Sequence, residues 1–69
     1  MTTIKYEKNR GIAEITINRP EKKNSLTSKM YGELNACFNK AGLDESVVVV
    51  ILKGQGDMFT AGNDINDFA

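Results

Sequence analysis

The sequence predicts a small layered α/β domain in which strands alternate with helices. Three observations lead to this class: a pair of strand-like runs at the N-terminus, one amphipathic helix, and a continuous apolar run followed by a second helix start. A strand, a helix, a strand and a helix start in this order favour parallel strands joined by a right-handed crossover. With 69 residues, of which 41% are hydrophobic and 26% are charged, the chain has the composition of a globular domain.

The first two strands are expected to form a hairpin. Residues 4–7 and 11–18 are strand-like, and the turn between them contains Asn9 and Gly11, which tolerate the positive φ of tight turns. In the second run Ala13, Ile15 and Ile17 alternate with Ile12, Glu14, Thr16 and Asn18, which predicts that one face is buried more deeply than the other. Pro20 then ends the strand, because it lacks an N–H and fixes its own φ.

From residue 26 the apolar spacing changes to three and four residues, which predicts an amphipathic helix. Its expected core-facing residues are Leu26, Met30, Leu34, Cys37, Phe38 and Ala41. Thr27 or Ser28 is the predicted N-cap, and Gly42 is the predicted stop. Residues 47–52 follow as an apolar run without alternation, which predicts a strand buried on both faces.

Composition excludes several classes of function. Cys37 is the one cysteine and there is no histidine, so the chain can form neither an internal disulfide nor a Cys/His zinc site. A formal net charge of zero argues against nucleic acid as a partner. The longest apolar run is too short to span a bilayer, and no basic segment followed by an apolar stretch opens the chain. No metal site and no membrane partner are predicted, and a soluble, cytoplasmic setting is expected.

The turn after the long apolar run is the strongest candidate site. Gly62 leads into Asn63 and Asp64 at a helix start, where free N–H groups and the helix dipole suit an anion or a developing oxyanion. The alternative is that Gly62 only lets the chain turn, while Asn63 or Asp64 caps the helix. Nucleotide motifs fail, because Phe59 stands where a dinucleotide fingerprint needs its third glycine and no lysine follows Gly62 as in a Walker loop.

Two further sets of charged residues are open to two interpretations. The basic loop after the hairpin could hold phosphate groups or could be a solvated surface; its cations are Arg19, Lys22 and Lys23. The acidic set could bind a hard cation or act as an acid/base pair; its members are Asp57, Asp64 and Asp67. For Asp64 and Asp67, complementarity to the dipole of their own helix is the preferred explanation.

Two segments together resemble the enoyl-CoA hydratase/isomerase (crotonase) superfamily. GIAEITINRPEKKNSL at residues 11–26 is similar to the family's strand and Asn-Arg-Pro loop, and VVVVILKGQGDMFTAGNDI at residues 47–65 is similar to its strand, glycine turn and Phe-x-Ala-Gly-x-Asp signature. The resemblance implies that residues 1–69 are the N-terminal portion of a crotonase-like (ClpP/crotonase) ββα spiral fold. Its expected parts are a hairpin, a CoA loop, a helix, a buried strand and an oxyanion turn.

The resemblance also implies roles for individual residues. Asn63, after the signature Gly62, is expected to give one backbone N–H of the oxyanion hole that holds a thioester carbonyl. Ala61 matches a position whose backbone contacts the adenine end of coenzyme A, and Asp64 is expected to order the turn rather than act as the base. The loop expected to line the CoA phosphates and pantetheine comprises Lys22, Lys23, Asn24, Ser25 and, as its closing apolar residue, Leu26. No tightly bound cofactor is implied, since coenzyme A arrives as part of the substrate.

The activity implied by the resemblance is hydration of a 2-enoyl-CoA in fatty acid metabolism, through an enolate stabilised by the oxyanion hole. The Gly-Asn-Asp of residues 62–64 is more similar to certain Δ3,Δ2-enoyl-CoA isomerases, so an isomerase is the alternative. The resemblance implies that the family's second N–H and its acid/base carboxylate lie beyond Ala69, which predicts that this chain alone is inactive. Without the later turns of the family's spiral, residues 47–52 are expected to be partly uncovered. The family resemblance implies a homo-oligomer, a trimer or hexamer. A non-catalytic CoA-binding or assembly fragment, or a domain without a ligand, also remains open.

Overall fold

The structure, a computed structural model, describes residues 2–68, so the predicted 1–69 domain extends one residue beyond it at each end. The elements in chain order are β1 (Ile4–Asn9), β2 (Ile12–Ile17), a short 3₁₀ helix (Pro20–Lys22), α1 (Ser28–Leu43), β3 (Val49–Gly54) and α2 (Ile65–Phe68). The predicted α/β class is confirmed. Among residues 2–68 no helix is both long enough and apolar enough to cross a membrane.

The three strands form one mixed sheet in the order β1-β2-β3. β1 and β2 pair antiparallel, with Ile4 opposite Ile17, and β3 runs parallel to β2 after the α1 crossover. The predicted hairpin is confirmed, but its turn differs from the expectation. Asn9 is the last residue of β1, and the positive φ values belong to Arg10 and Gly11, at 53° and 81°. A two-residue turn with both φ values positive matches the right-handed twist of the flanking strands.

The hydrophobic core lies between α1 and one face of the β1–β2 pair. Its members are Ile4, Ile15, Ile17, Leu26, Met30 and Leu34, with Tyr6 and Cys37 packed against them. Burying each large apolar side chain contributes about 1.5–3 kcal/mol, so this small cluster supplies much of the folding free energy. The helical stripe is confirmed at Met30, Leu34 and Ala41, whereas the prediction for Phe38 is wrong because its side chain is 44% exposed.

The two ends of α1 are capped by residues close in sequence. Thr27 is the N-cap, and its hydroxyl accepts the Met30 N–H at 3.2 Å. Gly42 does not stop the helix, which continues to Leu43 and ends at Asp44. The Asp44 carboxylate accepts hydrogen bonds from Lys8 Nζ at 2.7 Å and from the Ser46 N–H and hydroxyl, and these bonds lower the pKa of Asp44. The Lys8 contact ties the end of α1 to β1.

β3 is the element that departs most from the sequence expectation. The prediction of a strand buried on both faces is wrong, since the exposed fractions of Val49 to Leu52 run from 47% to 37%. The expectation implied by the family resemblance, that residues 47–52 are partly uncovered, is confirmed. β3 has β2 as its one neighbour in the described sheet, and α1 packs over β1 and β2. The strand ends at Gly54, where any Cβ would overlap the backbone of Met58 and Phe59. Gly54 therefore permits a close backbone approach.

Candidate functional site

Two loops meet beyond the C-terminal ends of the parallel strands β2 and β3. The Ala61 N–H donates to the Lys23 carbonyl at 3.0 Å, and the Leu26 N–H donates to the Gly62 carbonyl at 2.8 Å. The Asp64 N–H then donates to the Leu26 carbonyl at 2.8 Å, so Leu26 and Asn63 pair as residues of parallel strands do. The loops are thus joined by backbone hydrogen bonds, which hold the Gly62 turn in a defined place.

The Asn63 backbone amide is the donor that this pairing leaves available. In a parallel pair, one residue bonds through its N–H and C=O to the two neighbours of the residue opposite, and that opposite residue directs its own N–H and C=O away; here Leu26 makes the bonds and Asn63 is the residue opposite. The Asn63 N–H accordingly points away from Leu26, and within residues 2–68 it donates to no acceptor. Gly62 has a φ of 93°, and a Cβ there would meet nothing within 4 Å. Gly62 is therefore required by its positive φ and not by close packing.

Asp64 is held by hydrogen bonds on both carboxylate oxygens. One oxygen accepts the Asn66 N–H at 3.0 Å, and the other accepts Arg19 Nη1 at 2.7 Å. The Arg19 hydrogen bond lowers the pKa of the Asp64 carboxyl below its usual 3.8, so the group is ionised and paired near neutral pH. Asp64 therefore orders the turn into α2, and it is poorly suited to accept a proton from a substrate.

Asp67 has a partner that its position in the sequence does not reveal. Its carboxylate accepts the Ser28 N–H at 2.8 Å, so it satisfies a free donor at the start of α1. The preferred explanation, a charge complementing the dipole of its own helix, is incomplete because this contact lies on the other helix. In the described part of the chain, no group of three or more Cys, Asp or Glu side chains is arranged to hold a metal ion.

Asn24 faces the interior and not the solvent. Its side chain is 1% exposed, its oxygen accepts the Arg19 N–H at 2.8 Å, and its amide nitrogen donates to the carbonyls of Gln55 and Met58 at 2.9 and 2.6 Å. The Thr60 hydroxyl donates to the Asn24 carbonyl at 2.7 Å. The side chain thus joins the loop after β2 to the loop after β3, and its polar atoms are engaged within the protein.

The remaining predicted residues divide between two adjacent clefts and the core. One cleft, of about 420 Å³, is lined by Arg19, Lys22, Ser25, Ala61, Asn63, Asp64, Ile65 and Asn66. A second, of about 370 Å³, is lined by Pro20, Lys23, Asn24, Gln55, Gly56, Asp57 and Met58. Leu26 belongs to the core and is 7% exposed. The first cleft therefore brings together Lys22, Ser25, Ala61, Asn63 and Asp64 from the predicted set.

Sequence reasoning missed one contact to the candidate donor. The Tyr31 hydroxyl, on the exposed side of α1, donates to the side-chain oxygen of Asn63. Arg19 was considered as a phosphate ligand, but its guanidinium is engaged by Asp64 and by the carbonyl and hydroxyl of Ser25. Neither pairing has a signal in the sequence, since Tyr31 and Asn63 lie 32 positions apart and Arg19 and Asp64 lie 45 apart.

Comparison with known proteins identifies the family. The family model described as enoyl-CoA hydratase/isomerase matches residues 7–69. The chain belongs to the enoyl-CoA hydratase/isomerase family. Enoyl-CoA delta isomerase 2 of Homo sapiens is 41% identical to this family member over 58 residues, which are 84% of this chain and 14% of that protein. The same enzyme of Rattus norvegicus is also 41% identical over 58 residues.

Solved structures of enoyl-CoA hydratase/isomerase proteins share the fold. The protein from Xanthobacter autotrophicus Py2 superposes with a TM-score of 0.91 at 43% identity, over 94% of this chain and 24% of that one. The protein from Pseudoalteromonas atlantica T6c gives 0.92 at 37% identity, over 97% and 27%. The predicted crotonase superfamily and fold are thereby confirmed. The chain spans 14–15% of the length of these curated relatives and about a quarter of these solved structures.

Proposed function

We propose that this chain contributes to a site for an acyl-CoA thioester, in which the Asn63 backbone N–H donates to the thioester oxygen. The observation that carries the proposal is the Asn63 amide, which points away from the Leu26 pairing and has no acceptor within residues 2–68. Asn63 lines a cleft of about 420 Å³, and Lys22 lines the same cleft. A fixed donor and a cation in one cleft fit a ligand with a carbonyl at one position and phosphates at another.

The proposed chemistry follows from charge development on the thioester oxygen. Addition of water to the β-carbon of a 2-enoyl thioester, or removal of a proton from the α-carbon of a 3-enoyl thioester, forms an enolate whose negative charge is concentrated on that oxygen. A backbone N–H already aimed at the oxygen needs no reorganisation as the charge grows, and one such donor is worth about 2.7–4 kcal/mol of barrier in enzymes with an oxyanion hole. The carboxylate that would move the proton is not Asp64, because Arg19 already holds it as an ion pair.

The reaction proposed first is hydration of a 2-enoyl-CoA, and the second candidate is movement of the double bond between the Δ3 and Δ2 positions. Both reactions place charge on the same thioester oxygen, so the Asn63 amide serves either one. The similarity to enoyl-CoA delta isomerase 2 of two mammals supports the second candidate.

Four expectations remain predictions. They are a homo-oligomer, a cytoplasmic setting, the absence of a tightly bound cofactor and, as the alternative to catalysis, a non-catalytic CoA-binding role.

The proposal is tested by titrating the ¹⁵N-labelled chain with acetoacetyl-CoA and following its backbone amides, with calorimetry as a second measurement. The Asn63 amide is expected to show the largest downfield proton shift, because it gains an acceptor that it lacks in the free chain. Free coenzyme A, which has no thioester carbonyl, should leave the chemical shift of the Asn63 amide unchanged while shifting the amide signals of the loop around Lys22. No binding, or binding that leaves the Asn63 amide unchanged, would count against the proposal.

Turnover is a separate outcome. In the described residues, Asp64 is the one carboxylate lining the cleft of Asn63, and it is paired with Arg19. The 69-residue chain is therefore expected to show neither hydration nor double-bond isomerisation of enoyl-CoA substrates. Turnover at rates typical of enzymes, above about 1 per second, would contradict the inference that the paired Asp64 does not serve as the acid/base group.

A further inference from the structure

The guanidinium of Arg19 contacts both of the segments that pair around Asn63. Its Nη1 donates to the Asp64 carboxylate at 2.7 Å and to the Ser25 carbonyl and hydroxyl, each at 3.1 Å. Ser25 immediately precedes Leu26, and Asp64 immediately follows Asn63. One side chain therefore joins the residues next to both members of the Leu26–Asn63 pair.

This ion pair is more sheltered than the other ion pairs of residues 2–68. The side chains of Arg19 and Asp64 are 18% and 13% exposed, whereas those of Lys8 and Asp44 are 43% and 28% exposed at the same separation of 2.7 Å. Water competes less for a sheltered pair, and the planar guanidinium holds several acceptors in a fixed arrangement. The Arg19 contact is thus suited to fix the direction of a neighbouring backbone amide.

We propose that Arg19 is a positioning residue that orients the Asn63 N–H through Asp64 and Ser25, and that it does not serve as a phosphate ligand. The proposal rests on the proposed function, since it concerns the donor to the thioester oxygen. Asp64 matches the charge of Arg19 and holds its Nη1 together with Ser25, so Arg19 attracts a phosphate less strongly than an unpaired cation does. Lys22 has no ion-pair partner among residues 2–68 and is the cation left to face a phosphate in this cleft.

The experiment compares two ligands that differ in one group. Acetyl-CoA carries the thioester carbonyl, and S-ethyl-CoA is the thioether that lacks it. Their dissociation constants are measured by titration of the full 69-residue chain, and the quantity of interest is the ratio of the thioether constant to the thioester constant. Partial unfolding scales both constants equally and leaves the ratio unchanged, so the ratio reports the carbonyl contact and not general stability.

The wild-type chain is expected to prefer the thioester by about 2- to 10-fold, the value of one hydrogen bond. Arg19→Gln and Asp64→Asn should each bring the ratio close to one. The double variant should fall no further, because the two residues act through a single contact. Arg19→Lys, which keeps a charge beside Asp64, should retain more of the preference than Arg19→Gln. If Arg19→Gln does not fold, Asp64→Asn alone gives the same comparison.

A matched pair elsewhere in the chain supplies the control. Lys8 and Asp44 form an ion pair of the same length, and Lys8 lies at the opposite end of β1 from the site, beside Ala13 at the start of β2. Lys8→Gln and Asp44→Asn should leave the ratio at its wild-type value even where they lower stability. A control variant that abolished the preference would overturn the assignment to Arg19.

Three results distinguish the failure of this inference from the failure of the proposed function. If the wild-type chain prefers the thioester and Arg19→Gln keeps that preference, Arg19 does not position the amide. If Arg19→Gln weakens both ligands equally while urea unfolding gives the wild-type free energy, Arg19 contacts the shared CoA portion and is a ligand after all. If the wild-type chain binds both ligands with equal affinity, the Asn63 amide does not contact the carbonyl, and the proposed function fails together with this inference.

Discussion

Replacing Asn24 by alanine should be among the most destabilising polar substitutions in this chain. The side chain is 1% exposed and makes three hydrogen bonds, to the Arg19 N–H and to the carbonyls of Gln55 and Met58. A net hydrogen bond contributes about 0.5–1.5 kcal/mol, so the loss of three predicts roughly 1.5–4.5 kcal/mol. A chain of this size is stable by about 3–10 kcal/mol, so the change removes a large part of the total.

Urea unfolding followed by far-UV circular dichroism measures this free energy of unfolding, with an unchanged slope as the check on two-state behaviour. Asn24→Gly removes the same bonds but relieves the positive φ of 57° at this position. It should therefore be less destabilising than Asn24→Ala by about 0.5–1 kcal/mol. Asn39→Ala, on the exposed side of α1, is the control for loss of an asparagine.

The reasoning would be refuted by an Asn24→Ala variant within about 0.5 kcal/mol of the wild type, the range expected of surface substitutions. Such a result would mean that water replaces the three contacts without cost, and that the loops after β2 and β3 do not depend on this side chain. An equal loss in the alanine and glycine variants would be informative in another way. It would assign the whole effect to the hydrogen bonds and none to the backbone conformation.

Three further changes have expected outcomes. Gly62→Ala should lower the free energy of unfolding by about 1–2 kcal/mol, because alanine is strained at a φ of 93°. Gly32→Ala, at a helical position where a Cβ meets nothing within 4 Å, should raise it by up to about 1 kcal/mol. Equal effects of the two substitutions would contradict this. The pKa of Asp44 is lower in the folded chain than in the unfolded one, so ionised Asp44 stabilises the fold above its unfolded pKa, and this stabilisation is lost as the pH falls through its folded pKa. In Asp44→Asn the urea midpoint should therefore fall less steeply with decreasing pH below about pH 4. A midpoint that falls as steeply as in the wild type would contradict this. Lys22→Ala should weaken acetoacetyl-CoA binding about 2- to 5-fold at low salt, unlike the control Lys40→Ala, and a salt-independent loss would speak against a phosphate contact.

The hairpin and the helix could be predicted because their patterns are local. Alternation at Ala13, Ile15 and Ile17 fixes which face of β2 is buried, and all three are at most 1% exposed. Spacing of three and four residues likewise locates Met30 and Leu34 in the core. These patterns depend only on the residue period of a strand or a helix, so they can be recognised without knowing which elements pack beside them.

The pattern of β3 alone does not predict its burial; the expectation that residues 47–52 are partly uncovered came from the family resemblance. An apolar run without alternation indicates that both faces of the strand can pack against apolar side chains. It does not show which helices or strands cover those faces. In this structure α1 packs on β1 and β2, and Val49 to Leu52 stay between 37% and 47% exposed. The sequence pattern thus describes a strand suited to burial, while its exposure depends on what packs beside it.

The sequence predicts several residues of the candidate site but few of the contacts that they make. The resemblance identified Gly62 and Asn63, and the positive φ of Gly62 gives the turn a physical reason. The sequence did not reveal that Asn24 is buried or that Arg19 pairs with Asp64, because each of these depends on bringing together segments more than 30 residues apart. Polar residues in a loop carry no local pattern that distinguishes an internal partner from a ligand.

Both loops at the site preserve the register of the sheet that precedes them. Ile17 pairs with Gly54 at the end of β2 and β3, and Leu26 pairs with Asn63 after the loops, so the offset is 37 residues in both places. The two loops therefore contain the same number of residues between the end of the sheet and the Leu26–Asn63 pair. In such pairing a shift of one residue reverses which N–H groups point toward the partner. Deleting Glu21 alone should thus turn the amide of Asn63 toward the neighbouring loop and abolish the preference for acetyl-CoA over S-ethyl-CoA. A deletion that kept this preference would show that the direction of the Asn63 amide does not depend on register.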